Sequence, residues 1–294
     1  MTDTLIKDVS DTAFAVAIYR AIESERADAL FHDPLARKLA GDHGQRIVAS
    51  MSSRRSIAMR SRFMAWMMAI RTRIIDDFIL SAIARGADAV LNLGAGLDTR
   101  PYRMQLPQSL VWIEVDYPHM IDLKDARLAD EQPRCRLERV KLDLADLPVR
   151  VNLFADLGSR FNNVIVLTEG VIPYLSAEDV ARLAKDINSQ RAFQHWIVDY
   201  LSAEAIRIRK RAAIQRYVQN APFLFEPKDF FGFFAEHGWR PAEIRYISEE
   251  GERLRRPIPF LAWFALMSVF MSKQRREARR KSAAYVLLEP IREK

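Results

Sequence analysis

The chain has 294 residues, 49% of them hydrophobic and 28% charged, which excludes a disordered or fibrous protein and allows one large core with an appendage. Its single cysteine, Cys135, excludes an internal disulfide framework; no Cys or His cluster surrounds it, so no metal site is expected, and the setting is expected to be reducing and cytoplasmic. The net charge of +7 permits acidic partners without requiring them.

The polar start, MTDTLIKDVSDTAF, has no signal-peptide pattern. No apolar run reaches the length of a membrane span; PFLAWFALMSVFM (259–271) comes nearest and is too short. About the first 85 residues read as helices. An Ala-, Glu- and Arg-rich pattern over 11–31 is interrupted at His32-Asp33-Pro34. A longer pattern over 54–85 repeats Met59, Phe63, Trp66, Met67, Ile70, Ile74, Ile75, Phe78 and Ile79 at three- and four-residue spacing, with Gly86 as its stop.

The rhythm then changes. DAVLNLG (88–94), SLVWIEVD (109–116), RCRLERVKLD (134–143), NNVIVLTEG (162–170) and FQHWIVDYLS (193–202) read as five strands. Helices are expected over 118–130 and 176–190, the second opened by the capping-box-like Ser176-Ala-Glu-Asp179. WRPAEIRYI (239–247) and AAYVLLEP (283–290) add two late strands, with helical stretches at 203–221, 227–237 and 258–281. This alternation predicts an α/β fold: a mostly parallel seven-stranded sheet, helices on both faces, and a helical lid over the strands' carboxyl ends, where such sheets bind ligands.

The chemistry gathers at those ends. LNLGAGLDTRPYRM (91–104) places Gly94-Ala95-Gly96 after the first strand, where the missing Cβ atoms allow close backbone approach. Asp116 follows Gly96 by 20 residues, the place from which an acid hydrogen-bonds ribose hydroxyls. NAD and S-adenosyl-L-methionine both fit so far. The dinucleotide loop's third glycine is absent, however, and Asp98 stands where a pyrophosphate would be repelled. Asp98, Asp116, Asp143 and Glu169 follow four successive strands, a pattern suited to a cationic, hydroxyl-rich ligand and hence to S-adenosyl-L-methionine.

VLNLGAGLDTRPYRM, WIEVDYP, LDLADLP and LTEGVIPYLS together resemble the leucine carboxyl methyltransferase family. They resemble most its bacterial branch of S-adenosyl-L-methionine-dependent methyltransferases, which includes polyketide carboxyl O-methyltransferases. The resemblance is strong from about Arg71 to Ser176 and extends weakly to YVLLEP. It implies a Rossmann-like methyltransferase fold in a single domain over 1–294: a lid segment at 1–85, a cofactor-binding core at 86–202, then lid helices and the last two strands at 203–294. It also implies site roles. Gly94, Ala95 and Gly96 would flank the cofactor's methionine part, with Asp98 in the same loop. Asp116 would take the ribose, Asp143 and the Leu144 N–H the adenine, and Glu169 the ammonium or sulfonium side. Arg71 or Arg73, with Arg71 preferred, would hold a carboxylate of cofactor or substrate. Tyr174 would line the substrate side, and Arg100 and Arg103 would pair with Asp98 or reach the pocket.

A carboxylate acceptor is already ionised at neutral pH and needs a cation to orient it, whereas a hydroxyl acceptor calls for a base. His32, His43, His119, His195 and His237 fall in no catalytic motif, although His119 is nearest the expected cofactor; this favours a carboxyl acceptor on a small molecule or peptide and leaves a hydroxyl open. Phe223, Phe225, Phe230, Phe231, Phe233 and Phe234 permit an apolar or aromatic substrate portion. The basic run KQRREARRK (273–281), preceded by Phe260, Trp263, Phe264 and Phe270, reads as a solvated face of a lid helix; nucleic-acid or membrane contact is the alternative. Neither the acceptor's identity nor the oligomeric state is legible.

Overall fold

A computed structural model describes residues 9–50, 55–211, 222–259 and 272–292. The expected seven strands are present: β1 (Ala89–Leu93), β2 (Val111–Asp116), β3 (Arg136–Lys141), β4 (Val164–Thr168), β5 (Phe193–Leu201), β6 (Trp239–Tyr246) and β7 (Ala283–Pro290). They form one sheet in the order β3-β2-β1-β4-β5-β7-β6. β1 to β5 pair in parallel, and β7 runs antiparallel between β5 and β6. Every residue of β1, β2 and β4 is buried, which is why these segments read as unbroken apolar runs rather than alternating ones. The edge strand β3 is more exposed and carries Arg136, Glu138 and Lys141.

Three helices precede the sheet: α1 (Val9–Ser24), α2 (Ala36–Ser50, kinked at Gly41) and α3 (Arg55–Ala84). Others follow strands: α4 (Arg100–Arg103), α5 (Pro118–Arg127), α6 (Leu147–Arg160), α7 (Ala177–Asn188), α8 (Ala203–Arg211), α9 (Phe230–Glu236), α10 (Ile247–Arg253) and α11 (Lys273–Arg280). Ser176 caps α7 as its motif predicts, accepting from the Asp179 N–H at 3.1 Å. α4, α6 and α10 were not expected, although α6 has an Asp146 cap followed by Pro148; α2 lies in the stretch read only broadly as helical. Residues 260–271, with Phe260, Trp263, Phe264 and Phe270, lie outside the described residues, as does 212–221.

Helices pack on both faces. On one, Ile70, Ile74, Phe78 and Ile79 of α3 meet Val90, Trp112, Ile165 and Leu287. On the other, Phe154 of α6, Leu183 and Ile187 of α7 and Phe234 of α9 meet Leu91, Ile113, Val166 and Trp196. A third cluster joins α1 and α2 to Leu97, Tyr102 and Met120, so the N-terminal helices cover the strands' carboxyl ends. Among the described residues, no helix is long and apolar enough to cross a membrane.

Candidate active site

The strand order reverses between β1 and β4, and a cavity of about 530 Å³ opens at their carboxyl ends. Ten residues singled out in the sequence line it: Arg71, Gly94, Ala95, Gly96, Asp98, Asp116, Asp143, Leu144, Glu169 and Tyr174; Arg73, Arg100, Arg103 and His119 do not.

The chain turns at Gly94, whose φ of 68° is left-handed and whose missing Cβ would lie 2.4 Å from Val171 Cγ2. The N–H groups of Gly94 and Ala95 donate to the Val115 carbonyl at 2.8 and 3.1 Å, tying the loop to β2. Asp116 ends β2 and accepts the Gly96 N–H at 2.6 Å and the Tyr117 N–H at 2.7 Å, one on each carboxylate oxygen. Burial pushes its carboxyl above the ordinary range, against those two donors. Each oxygen keeps a lone pair for a further donor. Beyond β3, Asp143 is exposed and accepts the Ala145 N–H at 2.9 Å. Arg150 fixes the neighbouring peptide by donating to the Leu144 carbonyl at 2.5 Å.

Asp98 and Glu169 are arranged differently from the expectation of four carboxylates awaiting a cation. Both are already paired with arginine. Asp98 accepts from Arg100 Nη1 (2.8 Å), the Arg100 N–H (2.9 Å) and Asn92 Nδ2 (2.9 Å). Glu169 accepts from Arg71 Nε (2.6 Å) on one oxygen and Arg100 Nη1 (2.7 Å) on the other. Burial opposes the charge on both acids, but Arg100, with Arg20 at Asp98 and Arg71 at Glu169, outweighs it and holds both below the ordinary carboxylate range. The network continues outward. Asp76 joins Arg100 (2.7 Å) to Arg103 (2.7 Å), and Asp33 joins Arg20 (2.8 Å) to Thr99 (2.6 Å). Arg20 of α1 also donates to the Leu97 carbonyl at 2.5 Å, so the covering helix is bonded to the glycine loop. Arg100 thus pairs with Asp98 as one alternative had it, whereas Arg103 pairs with Asp76 instead, and neither arginine lines the cavity.

On the side facing α3, Arg71 is the arginine that enters the cavity. Arg73 pairs with Asp77 at 2.9 Å, one helical turn away. Arg71 Nη1 reaches the Met68 thioether at 3.6 Å, a weak acceptor, and the guanidinium lies 5.8 Å from the Tyr285 ring centroid. Tyr174 packs edge-on to Phe223 at 5.1 Å. Of the six phenylalanines, only Phe223 lines the cavity; Phe225, Phe230 and Phe234 are core, so that aromatic run is largely packing. Met64, Met67 and Met68 of α3 supply apolar wall instead. His119 stands off the cavity, stacked on Tyr117 at 5.7 Å, and among the described residues no histidine lines it.

Sequence reasoning missed Asp199 and Tyr285. Tyr285 of β7 donates to Asp199 Oδ1 at 3.0 Å, and the Gly170 N–H donates to Oδ2 at 2.8 Å. Burial pushes the Asp199 carboxyl up, against Arg71 and the two donors. The available signal was an acid near the end of the fifth strand. Tyr285 enters through the β5–β7 pairing, which places it opposite Asp199.

The leucine carboxyl methyltransferase family profile matches residues 13–188. An inferred S-adenosyl-L-methionine-dependent methyltransferase of Parafrankia sp. (strain EAN1pec) is 33% identical over 288 residues, covering 91% of this chain and 87% of that protein. A similarly named protein of Streptomyces coelicolor is 30% identical over 263 residues, covering 85% and 89%. The crystal structure of a DUF574 family protein from Streptomyces avermitilis shares the fold, with a TM-score of 0.52 at 15% identity over 93% of this chain and 96% of that one. The profile match and the length of these alignments agree with the site's motifs: the chain belongs to the leucine carboxyl methyltransferase family.

Proposed function

We propose that the protein is an O-methyltransferase that esterifies a carboxylate of a small molecule or peptide. As a member of its family, it is an S-adenosyl-L-methionine-dependent methyltransferase. The cavity's residues fit that cofactor. Its volume is in the range of small-ligand sites, Asp116 has acceptor capacity left for ribose hydroxyls, and the glycine loop presents backbone rather than side chain. In this reading Gly94, Ala95 and Gly96 flank the methionine part, Asp143 and the Leu144 N–H take the adenine, and Asp98 holds the loop through Arg100. Glu169 orients Arg71, and Tyr174 lines the acceptor side.

Held there, the cofactor would supply a methyl group activated by the sulfonium charge, which the acceptor oxygen would take with loss of the sulfur–carbon bond, leaving a neutral thioether. The protein must then orient the acceptor and exclude water. The observation that carries the carboxylate reading is Arg71. Its Nε is fixed by Glu169, while Nη1 meets the weakly accepting Met68 sulfur, so the end of the guanidinium is aimed and exchangeable. Burial opposes its charge, but Glu169, Tyr285 and Asp199 keep it firmly protonated. Such a fork matches a carboxylate. An ionised carboxylate needs no base, which suits a cavity without a histidine among the described residues.

The test uses radiolabelled methyl donor with panels of carboxylic acids, phenols and alcohols. Methyl esters release labelled methanol in base and ethers do not. Base-labile product from acids is expected; base-stable label transferred to hydroxyl compounds would replace the carboxyl reading.

A further inference from the structure

The pairing of Asp98 and Glu169 raises a question of charge: which group faces a sulfonium? Among the described residues the cavity has six carboxylates, Asp98, Asp116, Asp143, Glu169, Asp179 and Asp199. Asp98 and Glu169 are neutralised by arginine. Asp179 is bonded to Ser176 at the start of α7 (2.6 Å). Asp116 and Asp143 follow β2 and β3, on the nucleoside side of the β1/β4 crevice. Asp199 remains. It lies on β5, one strand beyond Glu169, and Gly170 joins the two strands through its bond to Asp199 Oδ2. Its hydrogen-bond donors, a backbone N–H and the Tyr285 hydroxyl, are neutral, and the nearby cation, Arg71, is engaged by Glu169. A ligand whose nucleoside lies over β2 and β3 extends its other end across the crevice toward β4 and β5.

We propose that Asp199 is the carboxylate that faces the cofactor's sulfonium, so that the cavity distinguishes the charged methyl donor from its neutral demethylated product. This rests on S-adenosyl-L-methionine being the cofactor. The donor carries a positive charge at sulfur and the product carries none, while their ammonium, carboxylate and nucleoside groups are the same. A carboxylate beside the sulfur gains from the donor an attraction that the product, with the same ammonium but a neutral sulfur, does not offer. Transfer of the methyl group removes that attraction and favours product release. Burial raises the Asp199 carboxyl more than Arg71 and its two hydrogen-bond donors lower it, so a further cation beside it is favoured.

Calorimetry tests this with S-adenosylmethionine, S-adenosylhomocysteine and sinefungin, which bears an ammonium in place of the sulfonium. In Asp199→Asn, the first and third should bind about tenfold or more weakly, as expected for a lost charge-assisted contact, with S-adenosylhomocysteine affinity within about twofold of the native protein. Equal weakening of all three, or an unchanged donor-to-product ratio, overturns the proposal. S-adenosylhomocysteine binding also reports whether the variant folds. A second measurement needs no variant: proton release on binding, read in buffers of different ionisation enthalpy at mildly acidic pH. The groups facing Asp199 are Arg71 from α3, Glu169 after β4 and Tyr285 from β7. The donor should release more protons than the product, because its cation lowers the Asp199 pKa; equal release overturns the assignment. If the native protein binds none of the three ligands, the cofactor reading itself fails; binding with equal affinity ratios removes Asp199's role alone.

Discussion

The two halves of the cavity use carboxylates in opposite ways. Over β2 and β3, Asp116 and Asp143 meet backbone N–H groups and keep acceptor capacity for a ligand. Over β1 and β4, Asp98 and Glu169 are consumed by Arg100 and Arg71 and serve as scaffold. An acid at a strand end therefore means different things according to its partner. A carboxylate against amides can recognise a hydroxyl; one against two guanidiniums fixes where those guanidiniums point.

The largest test of this contrast is Arg100→Met. Arg100 is 2% exposed and bonded to Asp76, Asp98 and Glu169, so its removal leaves three carboxylates short of a partner. A loss of about 3–5 kcal/mol in unfolding free energy is expected by denaturant titration. A loss under about 1 kcal/mol would mean the network does not hold the loop. Gly94→Ala comes next. Its left-handed φ and the 2.4 Å approach to Val171 predict about 1–3 kcal/mol of destabilisation, together with weaker S-adenosylhomocysteine binding. Native-like stability and affinity would show that the turn tolerates a side chain.

Acid should separate the halves by ligand affinity and by stability. Asp98 and Glu169 have folded-state pKa values below their unfolded ones, so their stabilisation is present above the ordinary carboxylate range and is lost as pH falls through the lowered values. Asp116 is raised, so it protonates first as pH falls. S-adenosylhomocysteine affinity should then decline while circular dichroism still reports a folded protein; simultaneous loss of both would contradict the division. The smallest effect belongs to the basic helix. Lys273→Ala and Arg276→Ala on exposed α11 should change stability by no more than about 0.5 kcal/mol and leave cofactor affinity unchanged. Salt-sensitive DNA or vesicle binding abolished by these variants would give that face a partner.

The contact between the glycine loop and the end of β2 was legible because its parts are close in sequence and carried by backbone. A glycine turn after an apolar strand and an acid 20 residues later specify the contact between Gly96 and Asp116. The strands were legible because buried parallel strands are continuous apolar runs. The charge pairings over β1 and β4 were not. Arg71 meets Glu169 across 98 residues, and Arg100 meets Glu169 across 69. A sequence shows each charge but not which charges cancel. That is why the four-acid pattern pointed toward a fitting cofactor while overstating the negative charge available to it. Asp199 was hidden similarly, since its partner Tyr285 arrives 86 residues later through an antiparallel pairing.

The central claim, that this cavity holds the methyl donor by its nucleoside at Asp116, is tested most directly by calorimetric titration of S-adenosylhomocysteine into the native protein and Asp116→Ala. Native binding at one site per chain is expected, weakened about 10- to 100-fold in the variant, which loses hydrogen bonds made by a charged acceptor. No binding by the folded native protein, or equal affinity in the two, would contradict the account.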